Sequence, residues 1–166
     1  HARAAAVSHT ASLAGSDAGG RALLRRLGFA QVSSLTALLE SLKLVHFAGA
    51  LPSNRIASMS CSGGEASLVA DSATGRDIEF PPLSTGQQAA LRDALGPMVS
   101  LANPLDYHTY IWDNVPAMAC TFTAMLSGDL ALGCVVADFP RTDRCSMEAW
   151  ECIITASATA ARDSGK

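Results

Sequence analysis

The run Leu132-Gly133-Cys134-Val135-Val136-Ala137, closed by Asp138, limits the fold of this chain more than any other stretch. Its apolar positions follow one another without the alternation of a half-wetted strand, and it is too short for an ordinary helix. Such a run suits a strand buried on both faces, as in a parallel sheet flanked by helices. The preceding segments follow the same grammar. Residues 55–60 are a compact strand candidate ending in Cys61-Ser62-Gly63-Gly64, and residues 65–73 continue as a helix closed by Gly75. Residues 78–80 read as a short strand stopped by Pro81-Pro82, and 84–95 as a helix with Ser84 as its N-cap. A polar loop carrying Asn103-Pro104-Leu105-Asp106 follows, then a helix over 116–126, the strand over 132–138 and a last helix over 146–162. Strand and helix in alternation imply right-handed crossovers and a mainly parallel sheet.

The first third reads differently. Leu23, Leu24 and Leu27 share one face of a helix over 17–27, stopped by Gly28, and 29–32 read as a short strand. Ser33 or Ser34 caps a helix with Leu35, Leu38, Leu39 and Leu42 at helical spacing, which fades near Gly49. A helix–strand–helix tail without earlier strands is expected to be the end of a first fold. The expected division is 1–50, a linker over 51–54, and a second unit over 55–166 that is incomplete at its C-terminus.

Composition narrows the function classes. About half the residues are apolar and the net charge is −3, the profile of a globular α/β protein. No basic stripe points to nucleic acid, and no apolar run reaches the length of a membrane span. The opening His1-Ala2-Arg3-Ala4-Ala5-Ala6 lacks the apolar core of a signal peptide. The five cysteines (Cys61, Cys120, Cys134, Cys145, Cys152) include no C-x-x-C pair, so no metal cluster or disulfide framework is expected. Buried free thiols in a cytoplasmic protein are the default. Cys61 lacks the downstream arginine of a cysteine phosphatase loop and reads as structural.

Two stretches carry chemistry. His9 stands among small residues and hydroxyls in Val7-Ser8-His9-Thr10-Ala11-Ser12-Leu13-Ala14-Gly15-Ser16. A neutral imidazole is a competent nucleophile and a reversible phosphoryl carrier, and small neighbours let it swing between sites. Ser62-Gly63-Gly64 joins a strand to a helix start, where backbone N–H groups and the helix dipole favour an anion. The same spacing equally serves a tight strand–helix turn with no ligand. It is neither a Walker loop nor G-x-G-x-x-G.

Ser8-His9-Thr10 followed by Leu13-Ala14-Gly15-Ser16 resembles the phosphohistidine segment of the NDP-forming acyl-CoA synthetases, typified by ADP-forming acetyl-CoA synthetase. Ala11 stands where those enzymes usually carry glycine. Cys61-Ser62-Gly63-Gly64 falls where the family has an Asn-Ala-Gly-Gly-like turn, and Glu65 stands where it often has proline. Asn103-Pro104-Leu105-Asp106 looks like the family's Asn-Pro-x-Asp loop, with an Asx-type turn as the plain alternative. The segments around Gly64, Asp106 and Arg141 look like a branch labelled hydroxycinnamoyl-CoA (feruloyl-CoA) synthetase.

The resemblance implies a flavodoxin-like, succinyl-CoA synthetase-like three-layer α/β/α fold, truncated at both ends. It implies a fragment of an acyl-CoA synthetase that makes acyl-CoA from a small carboxylic acid, CoA and ATP, through an acyl phosphate and a phosphohistidine. His9 would be the catalytic residue, Ser8, Thr10, Ser62, Gly63 and Gly64 would hold phosphate, and Asn103 and Asp106 would meet substrate. ATP/ADP with Mg, and CoA, would bind mainly to CoA-binding and ATP-grasp domains absent here, in the same chain or a partner subunit. A homo-oligomer is implied as well, along with an orienting glutamate upstream of this chain, and the fragment alone is expected to have no turnover. His108, in Tyr107-His108-Thr109-Tyr110-Ile111-Trp112, competes with His9 as a catalytic group. Arg141 and Arg144 can pair with an anion or simply be solvated. Two other classes stand beside this reading: a regulatory synthetase-like module, which tends to lose the histidine, and a flavodoxin-like small-ligand binding domain.

Overall fold

The structure, a computed structural model, describes Ala4 and residues 15–166. His9, with Ser8 and Thr10, lies outside the described residues. The chain divides into two compact units, His1–Ala50 and Leu51–Lys166.

In the first unit, helix α1 (Asp17–Arg26) starts at Ser16, whose hydroxyl accepts from the Gly19 N–H at 2.9 Å. Asp17 in its first turn and Arg25 and Arg26 in its last suit the helix dipole. Gly28 ends it with φ 74°, a left-handed conformation that glycine adopts without a Cβ clash. Ser34 rather than Ser33 caps helix α2 (Leu35–Ala48). Residues 29–32 are not a strand. The described part of this unit offers no second strand, and a lone extended segment has no ladder to stabilise it. Neither helix buries a residue, and Leu23, Leu27, Leu39 and Leu42 are all more than half exposed.

The second unit holds a three-stranded sheet. Strands β1 (Ile56–Ser60), β2 (Leu105–Asp106) and β3 (Leu132–Val135) lie in the order β2-β1-β3, all parallel. Helix α3 (Gly63–Ala73) follows β1 and packs on β1 and β2. Helix α4 (Thr85–Leu95) packs on helix α5 (Val115–Leu126), which lies against β1 and β3 and beneath helix α6 (Glu151–Ser164). Met118, Phe122 and Met125 of α5 have no exposure, and Phe122 meets the ring of Tyr107 edge-on at 5.3 Å. Helix α5 is therefore the centre of the core. Gln87 joins two helix ends. It completes a capping box with Ser84 at the start of α4, and its amide donates to the Ala124 and Met125 carbonyls at the end of α5.

Several sequence expectations give way here. The strand over 78–80 is a single bridge between Arg55 and Glu79, because Pro81 and Pro82 have no N–H with which to extend a ladder. Its place beside β1 goes to β2, in a stretch whose sequence predicts a polar loop. β3 ends at Val135 and is half-buried rather than buried on both faces. Among the described residues it lies at the sheet edge, and its one partner there, β1, is five residues long. Helix α3 begins at Gly63, two residues earlier than the spacing suggested. At the last helix, Glu148–Trp150 form a separate 3-10 turn before α6. There the Trp112 indole N–H donates to the Ala149 carbonyl at 3.1 Å, and its ring meets Trp150 edge-on.

Candidate functional site

The chain runs from β1 outward to β2, then crosses β1 to lay down β3. Neighbouring connections therefore diverge between β1 and β3. The crevice outside the carboxyl ends of the strands at such a point is where ligands of open α/β sheets bind.

One wall is the start of α3. Ser62 is its N-cap residue with extended backbone, but its hydroxyl accepts no hydrogen bond from the helix. Ser16, Ser34, Ser84 and Asn114 do cap the helices they precede. The first N–H groups of α3 thus lack the side-chain partner that those helices have, which leaves them for a ligand or water. The Ser60 hydroxyl donates to the Ser62 carbonyl at 2.9 Å and holds the turn. Gly63 keeps the approach open: a Cβ there would stand 3.2 Å from Asp106 Oδ2.

The second wall is Asp106, at the end of β2 and paired in register with Ser60. Its Oδ1 accepts from the His108 N–H at 2.9 Å, and His108 Nε2 lies 3.8 Å from its Oδ2. His108 has φ 57° and ψ 178°, a backbone region that non-glycine residues rarely occupy. Its ring stacks on Tyr110 at 5.2 Å. Glu65 and Asp138 complete the surroundings. Burial first, then the charges of Asp138 and Asp106, raise the Glu65 carboxyl above its ordinary pKa. One Glu65 oxygen, Oε2, is buried without a hydrogen-bond partner. Burial, then the Glu65 charge, also raises the Cys61 thiol, which keeps it protonated and weak as a nucleophile.

The structure brings Ser62, Gly63, Gly64 and Asp106 to this crevice, but it employs Asn103 elsewhere. The Asn103 amide accepts from the Ser58 N–H at 3.1 Å and donates to the Ile56 and Pro81 carbonyls at 3.0 and 3.2 Å. Arg141 makes a two-pronged pair with Asp143, and Arg144 lies 3.7 Å from the same carboxylate, both in an exposed turn. Among the described residues no group of three His, Cys, Asp or Glu side chains is arranged to hold a metal ion. Tyr107, in a run of aromatics and hydroxyls that gives no sign of burial, is wholly buried. The sequence puts Asp138 at the carboxyl end of an apolar strand, where ligands of such sheets sit, and its charge is one of those that raise the Glu65 carboxyl.

The second unit is thus an α/β protein of the flavodoxin-like type, with an uncapped helix start and three carboxylates at its switch point. No family model matches the chain. It is similar to the ADP-forming acetate–CoA ligase of Methanocaldococcus jannaschii, with 29% identity over 102 residues. That match covers 61% of this chain and 14% of the ligase. It is also similar in fold to the dinucleotide-forming acetyl-coenzyme A synthetase 1 of Ca. Korarchaeum cryptofilum, solved in complex with phosphate and ADP. The TM-score is 0.79 at 18% identity, over 99% of this chain and 34% of that one. The apo form of the same enzyme gives a TM-score of 0.74 at 16% identity. The chain therefore spans about a third of the solved enzyme. The names of these relatives give acetate as the acid and lend no support to a hydroxycinnamoyl branch. Among the described residues, no helix is long and apolar enough to cross a membrane.

Proposed function

We propose that this chain is part of an NDP-forming acyl-CoA synthetase, joining a small carboxylic acid to CoA at the expense of ATP through an acyl phosphate and a phosphohistidine on His9. The observation that carries the reading is the glycine pair after β1, which opens a helix with no side-chain cap in a chain that is similar to an acetate–CoA ligase. In this reading the N–H groups at Gly63 and Gly64 receive the phosphoryl group that His9 carries, and Ser8, Thr10 and Ser62 add hydroxyl donors. The residues fit a phosphoryl group better than a nucleotide or a metal ion. We assign ATP/ADP, Mg and CoA to CoA-binding and ATP-grasp domains outside this chain, in the same polypeptide or a partner subunit. Asp106 meets the substrate side of the crevice, while Asn103 acts indirectly by holding the sheet edge.

Residues 1–50 fit this reading as the end of a first flavodoxin-like subdomain, and 55–166 as a second. The exposed leucines of α1 and α2 are what helices look like when the sheet they cover belongs to other polypeptide. The experiment is to incubate the complete enzyme with labelled ATP and test for acid-labile, base-stable label. Label is expected in the native protein and absent from His9→Asn. Equal labelling of the two would overturn the assignment.

A further inference from the structure

His108 is the sole histidine of the second unit and has no part in the phosphoryl transfer assigned to His9. Its φ of 57° and ψ of 178° fall in a region that belongs almost wholly to glycine, so the chain carries an imidazole there at a conformational cost. Packing does not account for that cost. The His108 side chain is 40% exposed, and the Tyr110 ring on which it stacks is 70% exposed. The fold gains little from such a ring, and glycine at this position would remove the strain.

Two neighbours aim the imidazole. Asp106 accepts the His108 backbone N–H through Oδ1 and faces Nε2 through Oδ2, and the Tyr110 ring lies within 17° of parallel to it. A histidine oriented by a carboxylate, with its ring plane fixed and its other nitrogen turned outward, is the arrangement of a general base. Its hydrogen bonds commonly tighten only when substrate arrives, so a separation of 3.8 Å between Nε2 and Oδ2 suits that role. The same Oδ2 would stand 3.2 Å from a Cβ on Gly63. Imidazole, carboxylate and glycine-opened turn are therefore contiguous at the carboxyl ends of β1 and β2.

We propose that His108 is the general base for the thiol of CoA, with Asp106 as its positioning residue. The proposal rests on the synthetase reading and supplies the proton acceptor that such a reaction needs. The CoA sulfur forms a bond to the acyl carbon of the acyl phosphate, the carbon–oxygen bond to phosphate breaks, and phosphate leaves with that electron pair. The thiol proton passes to the imidazole, which returns it to the departing phosphate. An ordinary thiol is mostly protonated at neutral pH and is a poor nucleophile until the proton is taken. Carboxylates are weaker bases than imidazole by about two orders of magnitude, so the acidic residues near the turn are poor substitutes.

The test uses the complete enzyme and two variants, His108→Gly and His108→Ala. Acetyl-CoA formation from acetate, CoA and ATP should fall by about 10²–10⁴-fold in both. Label from ATP should still reach His9 in both, because that transfer involves no thiol proton. Added imidazole should return part of the lost rate to His108→Gly, where the missing side chain leaves room for it. Near-native acetyl-CoA formation in either variant, or loss of the label along with it, overturns the role of His108. Absence of label from the native enzyme overturns the synthetase reading instead, and the proposal with it. Thermal unfolding separates a ring kept for chemistry from one kept for the fold. His108→Gly should unfold no lower than the native protein, and His108→Ala, which keeps the strain, below His108→Gly. A glycine variant that unfolds well below the native protein would show that the fold needs the ring, and would overturn the proposal.

Discussion

Replacing Asn103 by alanine separates a residue that holds the sheet from one that holds substrate. β2 pairs with β1 only at Met59 and Ser60, and Glu79 bridges only Arg55. The Asn103 amide spans the gap, taking the Ser58 N–H and giving two bonds to the Ile56 and Pro81 carbonyls. Ser58 is 1% exposed, so its N–H has no partner in the protein once the amide is gone. An orphaned buried donor costs about 1–3 kcal/mol, and each neutral hydrogen bond lost about 0.5–1.5 kcal/mol. Asn103→Ala should therefore destabilise the second unit by about 2–5 kcal/mol. Urea unfolding followed by far-UV circular dichroism measures it, as a midpoint lowered by roughly 1–3 M with unchanged slope. Asn103→Asp should be worse at neutral pH, since the introduced carboxylate would face two carbonyls. The protonated acid can donate to one of them, so that variant should regain stability as pH falls. An Asn103→Ala protein of native stability that has lost sulfate or substrate binding would refute the structural role and return Asn103 to the site.

Two further substitutions probe the core. Gly133→Ala should cost about 1–3 kcal/mol by overpacking, because a Cβ there runs into the side chain of Leu126, which is itself buried; thermal unfolding reads the loss. Gln87→Ala removes half a capping box and the donor to two carbonyls at the end of α5. A loss of about 1–3 kcal/mol is expected, with faster hydrogen exchange at both the start of α4 and the end of α5. Protection lost at α4 alone would show that the link between the helices carries little energy.

What the sequence determined by itself is local. Serine or asparagine before a helix fixes its start because the cap hydrogen bond spans three residues, as Ser34, Ser84 and Asn114 show. Gly28 and Gly96 fix helix ends because their positive φ is disfavoured for other residues. The glycine-opened turn after β1 was legible for the same reason. Whether a short apolar run becomes a strand was not local. Residues 78–80 and 105–106 are both short, and only the neighbourhood of β1, with proline blocking one candidate and Asn103 leading in the other, decided which of them pairs. The burial of β3 likewise depended on its place at the sheet edge rather than on its composition. At the site, tertiary structure alone brought Glu65, Asp106 and Asp138 within electrostatic reach of one another, from two strand ends and a helix start. A pKa depends on distances through space, and those distances join residues up to 73 positions apart in the chain.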